Sequence, residues 1–548
     1  MAIALETLDH DVDSVRGRRL HIARTRESLS RNVSFDIAAR IGYLVSRVLI
    51  PPFVLSRIGL SAYSLWSAVF LLLSYMGMTT FGFSWVYVKY VAEYVVRDET
   101  RKANELLSTG LMTIAPICVA MFVLLWLGLP RVILWLRIPA ELQHSARQVI
   151  LLVATAFLCD ITMSVYGQAL TGVQKIAEVQ IIWVISYLTE TALILALVGT
   201  GHGVLGLAEA YAVRTAVSIV LAAIAAYHYV PWLRLSIRSF SRQALRPLVN
   251  FGGVVQLNMI LNVGLNTIER VIAAPLIGLT AVGILDLSDK LPTMANTIPG
   301  AFASSLMPAA SNVHSELAGK PHQDELLAKL YLKGARYMNL VAATLAGLFA
   351  TASGPLLIVW LGKVYPGTAF LMAIFAIQQH IHLMTGPGTS ILKGIGRPQE
   401  EFFYSVPNVL LVIAAMPLSR LVLGHWSAVG LGSAVVIATI ASAIGFIARA
   451  NHLLHVSWPK YWQYVVAPGL IPYAFGMIFA FPAWKYAQYV TRGHLALIML
   501  VIGSLYSFTV LVVFDRAVLD RDEHLFFRDA VRRECSRLPY VGRRAEAL

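Results

Sequence analysis

Five basic residues interrupt stretches of the chain that are otherwise apolar. A charge near the middle of a bilayer costs roughly 2.5–3.5 kcal/mol on insertion scales, so such residues normally face a cavity or an opposite charge. Guanidinium groups form bidentate hydrogen bonds to phosphate oxygens and stay charged when buried. The pattern therefore predicts a water-filled site for an anionic headgroup, above all a phosphate or diphosphate. The candidate ligands are Arg40, Arg47, Arg214, Arg270 and Lys290.

Acidic residues in the same apolar stretches leave a second interpretation open. Each cation could neutralise a neighbouring carboxylate and so hold helices together; Asp286 and Lys290 have the four-residue spacing of a helical ion pair. The same carboxylates could instead carry a coupling proton or sodium ion. The residues concerned are Asp160, Glu190, Glu209, Glu269, Asp286 and Asp289.

A polar stripe runs along the helix expected at residues 249–274. At about 100° per residue, Asn258, Asn262, Asn266 and Glu269 fall within roughly 80° of one another. Lipid would not tolerate such a face. The stripe predicts that this helix lines an interior wall, with hydrogen bonds between helices as the alternative.

The elements that position these residues must be membrane helices. The 548-residue chain is 57% hydrophobic and only 14% charged, whereas a soluble domain carries about 25% charged residues. Apolar runs repeatedly reach the ~20 residues that span hydrocarbon. We predict an all-α polytopic protein with about fourteen spans, at 36–58, 63–88, 107–129, 148–170, 179–200, 204–229, 249–274, 280–308, 334–361, 367–392, 402–423, 428–449, 464–484 and 494–515.

Positive charge indicates the orientation of these spans. Lys and Arg are concentrated in alternate loops and in both terminal segments, as the positive-inside rule requires of cytoplasmic segments. Both termini are therefore expected in the cytoplasm. The net charge of +14 is explained by topology, so we expect no nucleic acid partner.

An internal repeat recurs about 220 residues apart. Ile58–Ala62 returns as Ile277–Ala281, and a motif of the form L-x-G-[VI]-x-[KR]-x-x-E occurs twice. Because each repeat holds six spans, the two begin on the same side and form parallel repeats around a central cavity. The motif residues are Leu170, Gly172, Lys175 and Glu178 in the first copy, and Leu392, Gly394, Arg397 and Glu400 in the second.

The repeat predicts the organisation of the chain into two six-helix lobes and an appendix. Spans 13 and 14 have no partner in the repeat. The expected parts are a basic tail at 1–35, an N-terminal lobe at 36–229, a linker at 230–248, a C-terminal lobe at 249–450, extra spans at 451–515 and a second basic tail at 516–548.

Signals for catalysis, cofactors or metal are weak. The sequence contains no phosphate-binding P-loop and no dinucleotide fingerprint, and its three cysteines form no disulfide framework. His380 and His382 lack acidic or cysteine neighbours at metal-ligand spacing. We therefore expect neither an enzyme nor a cofactor or metal site.

Three segments resemble the polysaccharide transporter family, the O-antigen and exopolysaccharide flippases of the multidrug/oligosaccharidyl-lipid/polysaccharide flippase superfamily. They are RVLIPPFVLSRIGLSAYSLW at 47–66, LIGLTAVGIL at 276–285 and GPLLIVWLGKVYP at 354–366. The sequence departs from the family in carrying Glu269 where many members have aspartate, and in lacking the tyrosine more usual within 282–285.

The resemblance implies transport by alternating access of a polyprenyl-diphosphate-linked oligosaccharide across the bacterial inner membrane. Membrane lipids are implied partners, and the polysaccharide polymerase and export machinery are candidate protein partners. A lipid II-type flippase and a multidrug or cation antiporter of the same superfamily are alternatives. A membrane polymerase or glycosyltransferase is the alternative from a different class.

Overall fold

The computed structural model describes residues 15–80, 82–316 and 322–519, together with Glu523. Side chains are described from residue 46 onward, except at some helical positions that lie mostly within 250–266 and 297–305. Secondary structure in the described ranges is helical, with no β-strand. The protein is therefore all-α, as its composition predicts. The chain forms two compact units that divide between Gly283 and Ile284.

The first unit contains eight helices and the beginning of a ninth. The helix α1 is interrupted at Gly59, whose φ of 76° lies in the left-handed region that glycine adopts readily. The first helix of the second predicted lobe, α8, packs against α1, α2 and α3 in this unit. The helices are α1 (Val15–Met76), α2 (Phe83–Val96), α3 (Thr100–Trp135), α4 (Ala140–Met163), α5 (Val165–Gly172), α6 (Ile176–Gly199), α7 (Gly203–Tyr229), α8 (Arg242–Leu276) and α9 (Leu279–Ala295).

The second unit begins within α9 and continues through ten further helices. A core of buried apolar residues from α10, α11, α14 and α16 includes Leu306, Tyr331, Ile391 and Phe446. The helices are α10 (Thr297–Glu316), α11 (Gln323–Thr351), α12 (Ser353–Leu361), α13 (Thr368–Leu383), α14 (Gly386–Gly394), α15 (Phe402–Leu423), α16 (Ala428–Leu453), α17 (Trp458–Tyr461), α18 (Ala467–Tyr486) and α19 (Arg492–Val513).

Most predicted spans coincide with one helix, a continuous part of one, or two consecutive helical pieces. The span at 63–88 covers the end of α1, a 3-10 turn and the start of α2, and residue 81 within it lies outside the described residues. The spans at 148–170, 280–308 and 367–392 are the broken pairs α4–α5, α9–α10 and α13–α14. Among the described residues, nine helical segments are long and apolar enough to cross a membrane, or ten if α11 and α12, which meet at 78°, form one bent span. The chain is a multi-pass membrane protein; the count of fourteen and the lobe boundaries stay predictions.

The internal repeat is visible as matched close contacts between helices. A Cβ added to Gly172 on α5 would lie 2.7 Å from a side-chain carbon of Val91 on α2. The counterpart glycine in the second copy is Gly394 on α14, where an added Cβ would lie 2.9 Å from the Cβ of Ala310 on α10. Both glycines therefore permit the same approach of two helices, because any larger residue would have to displace its neighbour.

The appended helices α18 and α19 pack on α11 and α12 of the second unit. The Tyr506 hydroxyl on α19 donates to the Thr344 carbonyl on α11 at 2.8 Å. The Arg492 guanidinium, at the start of α19, donates to the carbonyls of Val359 and Trp360 at 3.0 and 2.8 Å. It thereby satisfies acceptors in the last turn of α12 that have no partner within that helix.

A buried polar network joins α18 to α11 and α13. The two ring nitrogens of His380 lie 2.6 Å from Asn339 Oδ1 and 2.8 Å from the Tyr473 hydroxyl. Asn339 also donates to the Val465 carbonyl at 2.5 Å. Because a buried polar group is costly unless it is hydrogen-bonded, this network fixes the position of α18 on the second unit.

A buried ion pair brings Glu523 to α11. The carboxylate lies 3.5 Å from the Arg336 guanidinium, and the two side chains are only 2% and 5% exposed. The Tyr337 and Tyr464 hydroxyls donate to the same carboxylate at 2.8 and 3.2 Å. The Arg336 guanidinium also donates to the Val518 carbonyl. Three described groups, from three segments of the chain, thus contact one buried charge pair.

Candidate cationic site

Two of the predicted arginines meet at one tyrosine in the first unit. Arg47 on α1 donates to the Tyr187 hydroxyl on α6 at 3.1 Å, and its Cζ lies 5.6 Å from the centre of the Tyr187 ring. The Cζ of Arg214 on α7 lies 5.5 Å from the same ring centre. The two guanidinium carbons are therefore no more than 11.1 Å apart, the sum of the two ring distances. Cations at this range are attracted by the π face of the ring.

Carboxylates and a second tyrosine surround Arg214. Its Nε atom lies 3.9 Å from Glu190 Oε2, and the two side chains are 15% and 5% exposed. Its Cζ lies 4.7 Å from the Tyr211 ring centre, and Asp160 is close enough to interact electrostatically with it. A separation of 3.9 Å between Arg214 and Glu190 is at the long end for an ion pair.

The site brings together charged residues from four different helices, namely Arg47, Arg214, Glu190 and Asp160. We call these four residues with Tyr187 and Tyr211 the cationic cluster.

The sequence interpretation missed the two tyrosines of the cationic cluster. Tyr187 precedes Glu190 by three residues on α6, and Tyr211 precedes Arg214 by three residues on α7. Residues three apart share a helix face, so helical spacing could have identified both tyrosines as neighbours of the buried charges.

The remaining predicted cations lie beside carboxylates on their own helices. Arg270 Nε is 3.4 Å from Oε1 of Glu269, the adjacent residue on α8. Lys290 Nζ is 2.9 Å from Asp286 Oδ2, which confirms the predicted helical ion pair in the second unit. Both pairs are at least partly buried. The predicted residues Arg40, Asn258, Asn262 and Asn266 lie outside the described side chains.

Asp289 belongs to a polar cluster where α9 ends and α10 begins. Its Oδ1 accepts hydrogen bonds from the Thr293 hydroxyl at 2.9 Å and from the Gln379 amide at 3.2 Å. The Gln379 amide oxygen accepts from Asn296 at 2.5 Å. In the first unit, Glu209 lies 3.0 Å from the ring of His202 near the start of α7 and is partly exposed. Of the predicted carboxylates in that unit, Glu190 and Asp160 lie beside Arg214, whereas Glu209 pairs with His202.

Metal-ligand geometry is absent from the described part of the chain. No group of three or more His, Cys, Asp or Glu side chains there is close enough to hold an ion. Both histidines of α13 are hydrogen-bonded to protein groups, His380 as described above and His382 to the Tyr404 hydroxyl at 2.6 Å.

The fold and the apolar helices that carry these buried charges are those of a multi-pass membrane protein. The sequence matches the polysaccharide biosynthesis protein family over residues 31–314, which is more than half of the chain. The chain belongs to this family, and the resemblance inferred from its sequence is confirmed.

Solved structures share the fold at low sequence identity. An inward-facing multidrug resistance MATE family transporter of the MOP superfamily aligns with a TM-score of 0.66 at 12% identity, over 75% of this chain and 94% of that chain. The lipid II flippase MurJ, in an inward closed conformation, aligns with a TM-score of 0.65 at 13% identity, over 88% and 98%. A MATE protein in the straight conformation gives 0.54 at 14% identity, over 78% and 96%. No curated protein matches the sequence significantly.

Proposed function

We propose that the protein is a flippase that moves a polyprenyl-diphosphate-linked oligosaccharide across the bacterial inner membrane by alternating access. Membership of the polysaccharide biosynthesis protein family supports a role in handling such a lipid. The transporter fold supports movement of a substrate across the membrane without covalent chemistry. Both termini are proposed to lie in the cytoplasm, as the distribution of Lys and Arg indicates.

The observation that carries the proposal is the convergence of Arg47 and Arg214 on Tyr187. The two guanidinium groups carry ten N–H donors between them, of which at least one is donated to Tyr187, and a diphosphate offers only acceptors at neutral pH. The ring of Tyr187 holds both arginines in the membrane interior without adding a negative charge. A diphosphate bound here would compete with Glu190 for Arg214, and the long separation of 3.9 Å favours the exchange.

Carboxylates of the same protein are candidates for ion coupling. Glu190 and Asp160 lie beside Arg214, so substrate binding to that arginine would raise their tendency to accept a proton or a sodium ion. Asp289 in the second unit accepts from neutral donors, Thr293 and Gln379, which is an environment that tolerates either a proton or a small cation. These roles rest on the proposed transport activity.

The test measures flipping by purified protein in proteoliposomes with a fluorescent undecaprenyl-diphosphate disaccharide, whose outer-leaflet fraction is quenched by dithionite. The variants are Arg47→Ala and Arg214→Ala, with Arg147→Ala on the exposed surface of α4 as the matched control. We expect each site variant to lower the initial rate by at least about tenfold, since a charge-assisted hydrogen bond to a buried group is worth roughly 1.5–3 kcal/mol. Thermal unfolding checks that each variant is folded.

Two results would count against the proposal. Wild-type rates in folded Arg47→Ala and Arg214→Ala protein would show that the cationic cluster only holds helices together. A substrate panel in the same vesicles separates the alternatives: faster flipping of lipid II would favour a lipid II-type flippase, and uptake of cationic dyes without lipid flipping would favour an antiporter.

A further inference from the structure

A pocket of about 380 Å³ lies at one end of the second unit, where α10, α11, α14 and α16 end or begin. It is separate from the cationic cluster, which belongs to the first unit. The positive-inside distribution assigns this end of the helices to the cytoplasmic face. Its polar lining consists of His314, Gln323, Asp324, Arg397, His452 and His455.

The lining is rich in hydrogen-bond donors. Arg397 is exposed and carries five N–H donors, and each imidazole supplies at least one N–H in either protonation state. Gln323 Nε2 lies 2.6 Å from His314 Nδ1, which ties two of these side chains together. Asp324 is the single carboxylate among the lining residues. Leu327, Ile395, Leu453 and Leu454 supply apolar walls.

The pocket differs from the corresponding part of the first copy of the internal repeat in the residue beside the motif cation. Arg397 is the counterpart of Lys175, the basic residue of the duplicated motif. When α16 is aligned with α7 at Gly430 and Gly206, which are 224 residues apart, Leu453 corresponds to Tyr229. In the first copy, Lys175 Nζ lies 4.5 Å from the centre of the Tyr229 ring, so the aromatic side chain engages the cation. The second copy has leucine at that position, and the pocket opens beside the arginine.

We propose that this pocket binds a phosphate-bearing anion, with Arg397 as the principal ligand and His314 and His452 as supporting donors. Its volume suits a small phosphate ester and lies at the lower end of the range for small-molecule sites, roughly 300–1,000 Å³. The same chemistry is offered by the headgroup of an anionic phospholipid and by a soluble phosphate ester. The proposal does not depend on what the cationic cluster transports.

The experiment is calorimetric titration of the full-length protein in a non-ionic detergent with two probes, glycerol 1-phosphate and short-chain phosphatidylglycerol, with glycerol as the uncharged control. The variants are Arg397→Ala, which removes the principal donor, and Leu453→Tyr, which restores the aromatic residue of the first copy. Lys175→Ala is the matched control, because it changes the same motif position in the first copy, where the cation lies against the Tyr229 ring. We expect both pocket variants to weaken binding by at least about tenfold and the control to leave it unchanged.

The two probes distinguish the source of the anion. Binding of both, with the same dependence on Arg397 and Leu453, identifies a site for soluble phosphate esters. Binding of the lipid alone, with that dependence, identifies a lipid headgroup site. Absence of binding to either probe, or binding that is unaffected by both pocket variants or lowered equally by Lys175→Ala, overturns the proposal. Two independent pocket variants are used so that one failure to fold does not decide the outcome.

Discussion

At the scale of single residues, Tyr187 decides how the buried arginines of the first unit are arranged. Its hydroxyl accepts from Arg47, and its ring lies within 5.6 Å of both guanidinium carbons. A tyrosine can stabilise two cations in this way because the ring and the hydroxyl act on them separately. The Glu190 carboxylate, 3.9 Å from Arg214, partly balances the positive charge of that arginine.

Two substitutions distinguish the contribution of the Tyr187 hydroxyl to the flipping rate from the contribution of its ring. Tyr187→Phe removes the hydrogen bond to Arg47 and keeps the ring, whereas Tyr187→Ala removes both. We predict that the phenylalanine variant keeps more than about one tenth of the wild-type flipping rate and that the alanine variant falls below it, since a cation–π contact adds roughly 0.5–2 kcal/mol for each arginine. Equal rates in the two variants would show that the ring contributes nothing.

We expect the ion pair of Arg336 and Glu523 to stabilise the folded protein. Glu523→Gln leaves a buried guanidinium beside a neutral amide, and breaking one partner of a buried pair costs about 3–5 kcal/mol. We expect a clear drop in the unfolding temperature measured by intrinsic fluorescence in detergent. The double variant Arg336→Met with Glu523→Leu should recover part of the loss; a double variant less stable than Glu523→Gln alone would contradict this account.

At the scale of elements, close helix approaches at glycine explain why the two copies of the repeat pack alike. A Cβ on Gly394 would lie 2.6 Å from the Met307 carbonyl oxygen and 2.9 Å from the Ala310 Cβ, whereas a Cβ on Gly172 would lie 2.7 and 2.8 Å from Cγ1 and Cβ of Val91. The carbonyl oxygen and the two Cβ atoms cannot move by side-chain rotation, so relief at either position requires a helix to shift. The contact at Gly394 is shorter and involves two residues of α10, so the second copy tolerates less at this contact.

This difference predicts the order of three glycine substitutions. Gly394→Ala should destabilise the protein most, Gly172→Ala should destabilise it less, and Gly445→Ala should be neutral or stabilising by up to about 1 kcal/mol. The control position is helical and has nothing within 4 Å of an added Cβ, so only helix propensity acts there. Unfolding temperatures in one detergent test the order, and equal effects at Gly172 and Gly394 would show that the backbone contact relaxes.

At the scale of the whole molecule, the appended helices α18 and α19 belong to the second unit. Contacts at Tyr506, Arg492 and His380 attach them at separate points along α11, α12 and α13. The ion pair of Glu523 with Arg336 adds a further contact with α11.

The prediction for the whole molecule concerns its topology, that is, which points of the chain lie in the cytoplasm. Fluorescent protein fused after residue 248 or after residue 548 should fluoresce in cells, because both points are predicted to be cytoplasmic, whereas a fusion after residue 202 should not. Alkaline phosphatase fusions at the same points should give the opposite pattern. Fluorescence at 548 without fluorescence at 248 would show that the number of spans between them is odd.

The sequence by itself determined the all-α membrane class, the positions of most helices and the family, because hydrophobic length, charge placement and repeated motifs are local properties of the chain. It also identified the ion pair of Asp286 and Lys290, whose spacing lies within one helix. Only the tertiary structure decided that Arg47 and Arg214 share Tyr187, and that Leu453 leaves a pocket beside Arg397. Each of these depends on which faces of distant helices pack together, and helical periodicity specifies a face without specifying its neighbour.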